Sequence, residues 1–178
     1  MIAGKIDRRA FLMAGAALGA LAGFTTFGSK GALAAPMTTA TDTNIDFKKL
    51  SAAEWQKRLS PEQFYVLRKH GTERAGTSPL NKEKRAGTFT CAGCDQALFD
   101  ASTKFESGTG WPSFYAPLPN AVGETTDRSF FMSRTEVHCS RCEGHLGHVF
   151  NDGPKPTGLR YCMNGVAMKF VPAASSAS

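Results

Sequence analysis

The chain has no lysine or arginine run, its longest apolar stretch is short of strong hydrophobes, and one of its five cysteines has no partner at close spacing. The missing basic run argues against nucleic acid as a partner, because phosphate backbones are held by clustered cations. The formal charge of +6 also overstates the case: Lys5, Arg8, Arg9, Lys30 and Asp7 lie in a leader-like stretch whose removal would leave about +3. The shortage of strong hydrophobes disfavours a permanent membrane span. A length of 178 residues suits one domain with extensions, large enough to bury a core without disulfides.

Asp7-Arg8-Arg9-Ala10-Phe11-Leu12 precedes an Ala, Gly and Leu-rich stretch to about Phe27, then Lys30 and Ala32-Leu33-Ala34. This reads as a twin-arginine signal peptide over residues 1–34, cleaved after Ala34, against the alternatives of a Sec signal or an uncleaved anchor. Met13 departs from the pattern, standing where a lysine is common. The expectation is a periplasmic or otherwise exported protein that touches the membrane only during export. That route carries folded proteins, so a metal site could form before its thiols meet an oxidising compartment. Residues 35–46 are rich in Thr, Ala and Asp and read as a flexible linker, residues 47–172 as the domain, and residues 173–178 as a disordered tail.

Two short helices are expected at the start of the domain. Ser51 with Glu54 and Ser60 with Gln63 have capping-box spacing, Pro61 fits a first helical position, and Gly71 marks the second stop. Trp55, Phe64 and Leu67 supply an apolar face for packing, and His70 reads as a helix cap or a solvent residue. Residues 76–87 read as a long ordered loop. Short runs at 87–92 and 135–139 read as strands, each ending in a Cys-x-x-Cys knuckle: Cys91 with Cys94, then Cys139 with Cys142. Two knuckles suit one tetrahedral zinc with four thiolates, and Gly93 and Gly144 suggest tight turns. The alternatives are two redox dithiols or a pair of disulfides. A saturated four-thiolate ion has no open position, so the metal is assigned to stability.

The remaining thiol, Cys162, lies in Gly158-Leu159-Arg160-Tyr161-Cys162-Met163-Asn164. Residues 159–164 and 166–171 read as strands, which would put Arg160, Cys162 and Asn164 on one face. A cationic neighbour lowers a thiol from its ordinary value near ~8.5, so Arg160 could activate Cys162; inert core packing is the alternative. Trp111 follows Ser107-Gly108-Thr109-Gly110 and is fixed by Pro112, as a pocket wall or as plain core. His145 and His148 sit in Gly144-His145-Leu146-Gly147-His148-Val149-Phe150, where the glycines would permit a bend that converges both rings. Four cysteines already fill a zinc ion, so neither histidine is taken as a ligand.

Taken together, the two knuckles, Ser-Gly-Thr-Gly-Trp-Pro-Ser-Phe, Gly-His-Leu-Gly-His-Val-Phe-Asn-Asp-Gly-Pro and Gly-Leu-Arg-Tyr-Cys-Met-Asn resemble the B-type methionine sulfoxide reductases, which act on the R epimer at sulfur. The resemblance covers about Phe47 to Pro172. It implies a mainly β fold of two small antiparallel sheets with short N-terminal helices and one structural zinc on Cys91, Cys94, Cys139 and Cys142. It implies Cys162 as nucleophile, with His145, His148 and Asn164 handling the sulfoxide oxygen and Trp111, Arg160 and Phe150 binding substrate. The residue types suit that chemistry on their own terms: a soft thiolate attacks sulfur while imidazoles protonate a strongly basic oxygen, leaving a sulfenic acid.

One departure stands out. Many relatives carry a resolving cysteine where this chain has Thr109, so a one-cysteine cycle is expected, closed by a thioredoxin-like protein or small thiol or by a zinc-site cysteine that leaves its metal. The substrate expected is methionine-R-sulfoxide in oxidised proteins. The rival readings are a non-enzymatic zinc-binding interaction module and an exported disulfide oxidoreductase that uses one knuckle as its redox pair.

Overall fold

Both helix starts are fixed by reciprocal serine caps. In the computed structural model, which describes residues 45–128 and 133–174 within one compact unit, Ser51 Oγ accepts from the Glu54 amide at 3.4 Å and the Glu54 carboxylate accepts from the Ser51 amide at 2.8 Å. This opens α1 (Ala52–Arg58). Ser60 and Gln63 repeat the exchange at 3.2 and 3.0 Å and open α2 (Pro61–Lys69), with Pro61 at its first position. Each such cap is worth about 1 kcal/mol. The expected leader and the linker through Asn44 lie outside the described residues, as does the tail from Ser175; the Ala173 amide still donates to the Ala86 carbonyl at 2.9 Å.

The end of α2 bears out His70 as a helix cap: it is the left-handed residue there, at φ 54°, and the expected stop, Gly71, directly follows it. Gly71 also serves close approach, since a Cβ there would fall 2.2 Å from the Tyr65 ring. Trp55, Val66 and Leu67 are buried and Phe64 packs at the edge of the core.

Among the described residues nine strands follow: β1 (Gly87–Cys91), β2 (Ala97–Asp100), β3 (Lys104–Phe105), β4 (Ser113–Phe114), β5 (Val122–Asp127), β6 (Arg134–Cys139), β7 (His145–Phe150), β8 (Arg160–Met163) and β9 (Met168–Pro172). They form two antiparallel sheets in the orders β2-β1-β9 and β3-β4-β8-β7-β6-β5, as the mainly β expectation required. Aromatic rings fill the space between them. Phe99 of one sheet stacks on Phe114 of the other at 4.3 Å, and Phe89 meets Phe114 edge-on at 4.9 Å. Such pairs add about 1 kcal/mol each beyond their buried area.

Two strand limits differ from the sequence reading. The run expected at 159–164 shortens because Asn164 leads into a 3-10 turn, Gly165–Ala167, and the run expected at 166–171 starts late for the same reason. The loop expected at 76–87 carries a 3-10 turn of its own, Pro79–Lys82.

The register of the larger sheet places the site. His148 stands opposite Glu136 on one side and Cys162 on the other, and Cys162 stands opposite Ser113. Directly opposed residues bring their side chains within about 5 Å on one face, so four strands contribute to a single row. Gly147 lets β7 and β8 come together: a Cβ there would lie 2.1 Å from the Cys162 carbonyl oxygen and 3.0 Å from Met163. Overpacking of this kind against backbone costs about 3 kcal/mol or more. Gly147→Ala is therefore expected to cut the unfolding free energy by that order, read as a lower urea midpoint by tryptophan fluorescence, while Gly108→Ala, where a Cβ meets open space but φ is +74°, costs the smaller left-handed penalty of about 1 kcal/mol.

Candidate functional site

Four sulfurs converge where the ends of β1 and β6 meet. Cys91 Sγ lies 3.7 Å from Cys142 Sγ and Cys94 Sγ lies 3.5 Å from Cys139 Sγ, with all four buried and within 4.8 Å of one another. A tetrahedral ion with bonds of about 2.3 Å needs ligand separations of roughly 3.8 Å. The donor set and spacing therefore fit a structural metal site. In the thiol form one thiolate is favoured. Hydrogen bonds from Cys142, Cys91 and Cys94 hold Cys139 far below the ordinary thiol range, while Cys139 pushes the other three up.

The turns are made differently from the expectation. The left-handed residues are Asp95 and Glu143, each directly after its knuckle, and neither Gly93 nor Gly144 has positive φ. The glycines let the helices come close: a Cβ on Gly93 would touch Trp55 at 3.1 Å, and one on Gly144 would press Leu67 at 2.9 Å. Arg68 completes the contact, with its guanidinium 4.9 Å from the Trp55 ring and 2.8 Å from the Cys142 carbonyl that accepts from it.

Cys162 lies elsewhere, half-buried at the floor of a cleft of about 130 Å³ lined by Thr72, Trp111, Arg134, Gly147, His148, Phe150 and Asn164. Alternation along β8 sends Tyr161 and Met163 into the core and Arg160 and Cys162 to the other side. Arg160 is engaged on both sides. Its guanidinium makes two 2.8 Å bonds to Asp152 and lies 4.3 Å from the Phe150 ring. Those bonds raise its pKa above the usual arginine value, with a smaller contribution from Cys162. Thr109 Oγ1 lies 3.7 Å from Cys162 Sγ and closes a hydroxyl chain through Ser107 to Ser113, at 2.8 and 2.7 Å. The turn that places Thr109 needs Gly108 and Gly110, at φ +74° and +92°.

Trp111 and Asn164 are set by one residue that the sequence reading missed. The Glu73 carbonyl accepts from Trp111 Nε1 at 3.1 Å, its amide donates to Asn164 Oδ1 at 2.9 Å, and its carboxylate takes the Gly165 and Val166 amides at 2.6 and 2.9 Å. Asn164 Nδ2 donates to the Leu146 carbonyl at 3.0 Å. Its second Nδ2 hydrogen is the donor left for a ligand. No sequence signal marked Glu73, since its contacts lie more than thirty residues away.

His148 reaches the Cys162 cleft and His145 lies beside it in the adjoining one, and the two rings are brought together by something other than glycine bends. The β6–β7 register shifts beside His138, so that His138 pairs with His145 while Val137 pairs with Gly147, and the extra residue turns His145 toward the face that His148 occupies. Their ring centroids are 5.4 Å apart. His148 lines the Cys162 cleft, whereas His145 lines the adjoining cleft with His70, Glu136 and Asp127.

Carboxylates orient both rings. Glu136 accepts from His145 Nδ1 at 2.7 Å and from His70 Nδ1 at 3.0 Å; Asp127, bonded to Arg134 at 2.7 Å, accepts from His148 Nε2 at 2.9 Å. These contacts use one nitrogen of each ring and leave His145 Nε2 and His148 Nδ1. Among the described residues His145 Nε2 is buried with no hydrogen-bond partner. Glu136 was readable in part, because Arg134, Glu136 and His138 alternate along β6; Asp127 lies on a strand with no apolar alternation to announce it.

Burial pushes the His145 imidazole below its ordinary value of 6.5, and the Glu136 hydrogen bond and charge oppose that. Burial also works to raise Glu136, but the bond to His145 and the charges of His145 and His70 outweigh it and hold the carboxyl below its usual 4.5. A histidine depressed on folding binds fewer protons than in the unfolded chain, so its contribution weakens the fold as pH falls below 6.5. The lowered carboxylate gives stability above its unfolded value that is lost as pH falls, in the same direction. An imidazole NMR titration should find His145 below 6.5, and Glu136→Gln should move it lower still; an upward move would show that the carboxylate does not support the imidazolium.

Residues 59–172 match the SelR domain family. The chain is 59% identical over 120 residues to "Peptide methionine sulfoxide reductase MsrB" of Pseudomonas putida (strain W619), covering 67% of this chain and 90% of that protein. It is 54% identical over 121 residues to the protein of the same name from Leptospira interrogans serogroup Icterohaemorrhagiae serovar Lai (strain 56601), covering 67% of this chain and 92% of the relative. With "Peptide methionine sulfoxide reductase B1, chloroplastic" of Arabidopsis thaliana it shares 55% identity over 125 residues, covering 70% of this chain and 62% of that protein. With a buried four-cysteine cluster, a separate half-buried thiol and this likeness along the whole of the two-sheet unit, the chain belongs to the SelR-domain family of MsrB-type proteins.

Proposed function

We propose that this chain reduces methionine-R-sulfoxide to methionine, with Cys162 as the nucleophile. It is a peptide-methionine (R)-S-oxide reductase by its relatives, and the observation that carries the residue-level reading is the cross-strand row in which Cys162 faces His148 across two paired strands. Attack by the Cys162 thiolate, with one proton delivered to the sulfoxide oxygen, transfers that oxygen to the cysteine. Methionine leaves with its sulfur reduced by two electrons, and Cys162 is left as sulfenic acid, oxidised by two. His148, oriented by Asp127, supplies the proton, and His145, oriented by Glu136, stands beside it at the oxygen side of the site. The free Nδ2 hydrogen of Asn164 meets the oxygen, Trp111 and Phe150 wall the methyl group, and Arg160 holds the thiolate by charge.

Thr109 decides how the cycle closes. A hydroxyl at 3.7 Å from Cys162 cannot form a disulfide, and the other four thiols are buried together in the metal-type cluster. Two external thiols, from a thioredoxin-like protein or a small thiol, would convert the sulfenic acid to thiol, water and a disulfide. Cys91, Cys94, Cys139 and Cys142 would hold one zinc ion, which supplies stability and leaves no open position for substrate. We also read residues 1–34 as a twin-arginine leader and the working enzyme as periplasmic or otherwise exported, on the strength of Arg8-Arg9-Ala10-Phe11-Leu12.

Reduction of a dabsyl-labelled R-sulfoxide is expected to fall to background in Cys162→Ser with zinc content unchanged, and a stoichiometric sulfoxide should leave the wild-type protein trapped as a Cys162 sulfenic acid by mass spectrometry. Retained activity, or a rapid intramolecular disulfide, would overturn the scheme. Stripping the metal with a chelator should cost about 5 kcal/mol or more and lower the melting temperature by over ~10 °C, with the four cluster thiols becoming reactive.

A further inference from the structure

The Cys162 cleft holds about 130 Å³, well under the roughly 300 Å³ at which small-molecule pockets begin. Its volume takes the end of one side chain, and the rest of any substrate must lie outside. The adjoining surface on one side is a groove of about 710 Å³ that shares Trp111 with the cleft and continues over Gly110, Gly108 and Ser107 to Glu106, Asn81, Lys82 and Lys84.

The groove is tied to the site by hydrogen bonds. Asn81 Nδ2 donates to the Gly110 carbonyl at 2.9 Å, and the Gly76 amide donates to the same oxygen at 2.7 Å, so the 3-10 turn that bears Lys82 is fixed against the turn that bears Thr109 and Trp111.

Its charge is one-sided. Glu106 is met by Lys104 at 3.6 Å, and Lys104 Nζ, itself nearly buried, donates to the Asn81 carbonyl at 2.8 Å. Glu83, between the two groove lysines in sequence, is taken by Arg85 at 2.6 Å. Among the described residues neither Lys82 nor Lys84 has an ion-pair partner, and both are exposed. The cleft on the other side of the site differs, because there Arg134 meets Asp127 and His70 meets Glu136.

Resting on the proposed reduction at Cys162, we infer that this groove seats the polypeptide flanking an oxidised methionine and that its occupant is an acidic segment. The sulfoxide is then presented on an extended chain whose Asp or Glu side chains meet Lys82 and Lys84 while the sulfoxide enters past Trp111. The preference resides in the groove, so a substrate without flanking residues does not report it.

The test compares three substrates: N-acetyl-methionine-R-sulfoxide amide, and two seven-residue peptides with a central methionine-R-sulfoxide flanked by glutamates or by lysines. Wild type is expected to favour the glutamate peptide over the lysine peptide by roughly ten-fold in kcat/KM at low ionic strength, the size of a few exposed charge contacts, and the ratio should shrink with added salt. Lys82→Glu/Lys84→Glu should erase or invert the ratio and leave the small amide within two-fold. Equal rates on the two peptides in wild type, or a ratio unchanged in the double variant, overturn the inference while reduction of the small amide keeps the underlying activity intact. Failure of wild type on all three substrates removes that activity and this inference with it.

Discussion

Four sulfur atoms drawn from two different sheets impose the constraint from which the rest of the arrangement follows. Cys91 and Cys94 close the end of β1, Cys139 and Cys142 close the end of β6, and the two strands belong to separate sheets. Gathering them ties one sheet to the other and leaves the knuckle turns against the helices, where Gly93 and Gly144 accept Trp55 and Leu67. The cluster lies at one end of β6, and the same strand carries Glu136 three residues earlier. A shift at the sulfurs would therefore propagate along one strand to the carboxylate that orients His145.

Glu73 does for the cleft what the sulfurs do for the sheets. It reads out three elements at once, using its carbonyl for Trp111, its amide for Asn164 and its carboxylate for the two amides that open the turn into β9. A carboxylate that accepts two backbone amides is held by charge-assisted bonds, the stronger class. The wall and the polar donor of the cleft are thereby referred to one rigid point. Rigidity of this kind matters for a 130 Å³ space, in which an ångström of slack is a large fraction of the fit.

What could be read from the sequence was local. Capping boxes and metal knuckles share the same i, i+3 spacing, so Ser51 with Glu54, Ser60 with Gln63 and the cysteine pairs show their partners within one turn of chain. The cross-strand row was hidden, because the opposition of Glu136, His148, Cys162 and Ser113 depends on register across four strands. The convergence of the histidines was foreseen for the wrong reason: a register shift does it, and Gly147 is there to let backbones touch. Glu73, Asp127 and Asp152 gave no sign at all, since each finds its partner through tertiary contact.

The same geometry shows how a hydroxyl at position 109 fits beside the thiol proposed as the nucleophile. The Ser113–Ser107–Thr109 chain ends on Cys162, so Thr109 is held with its oxygen toward the sulfur and cannot swing away without breaking bonds to Ser107. A hydroxyl can donate to a thiolate or to a sulfenic oxygen, and it competes for neither, because it forms no bond to sulfur. Cys162 is half-buried, and its cleft opens beside the lysine groove. On the one-cysteine cycle proposed above, that opening would also be the route for a reducing thiol. Substrate and reductant would then use the site in turn, and a chain seated in the groove would have to leave before the sulfur is regenerated.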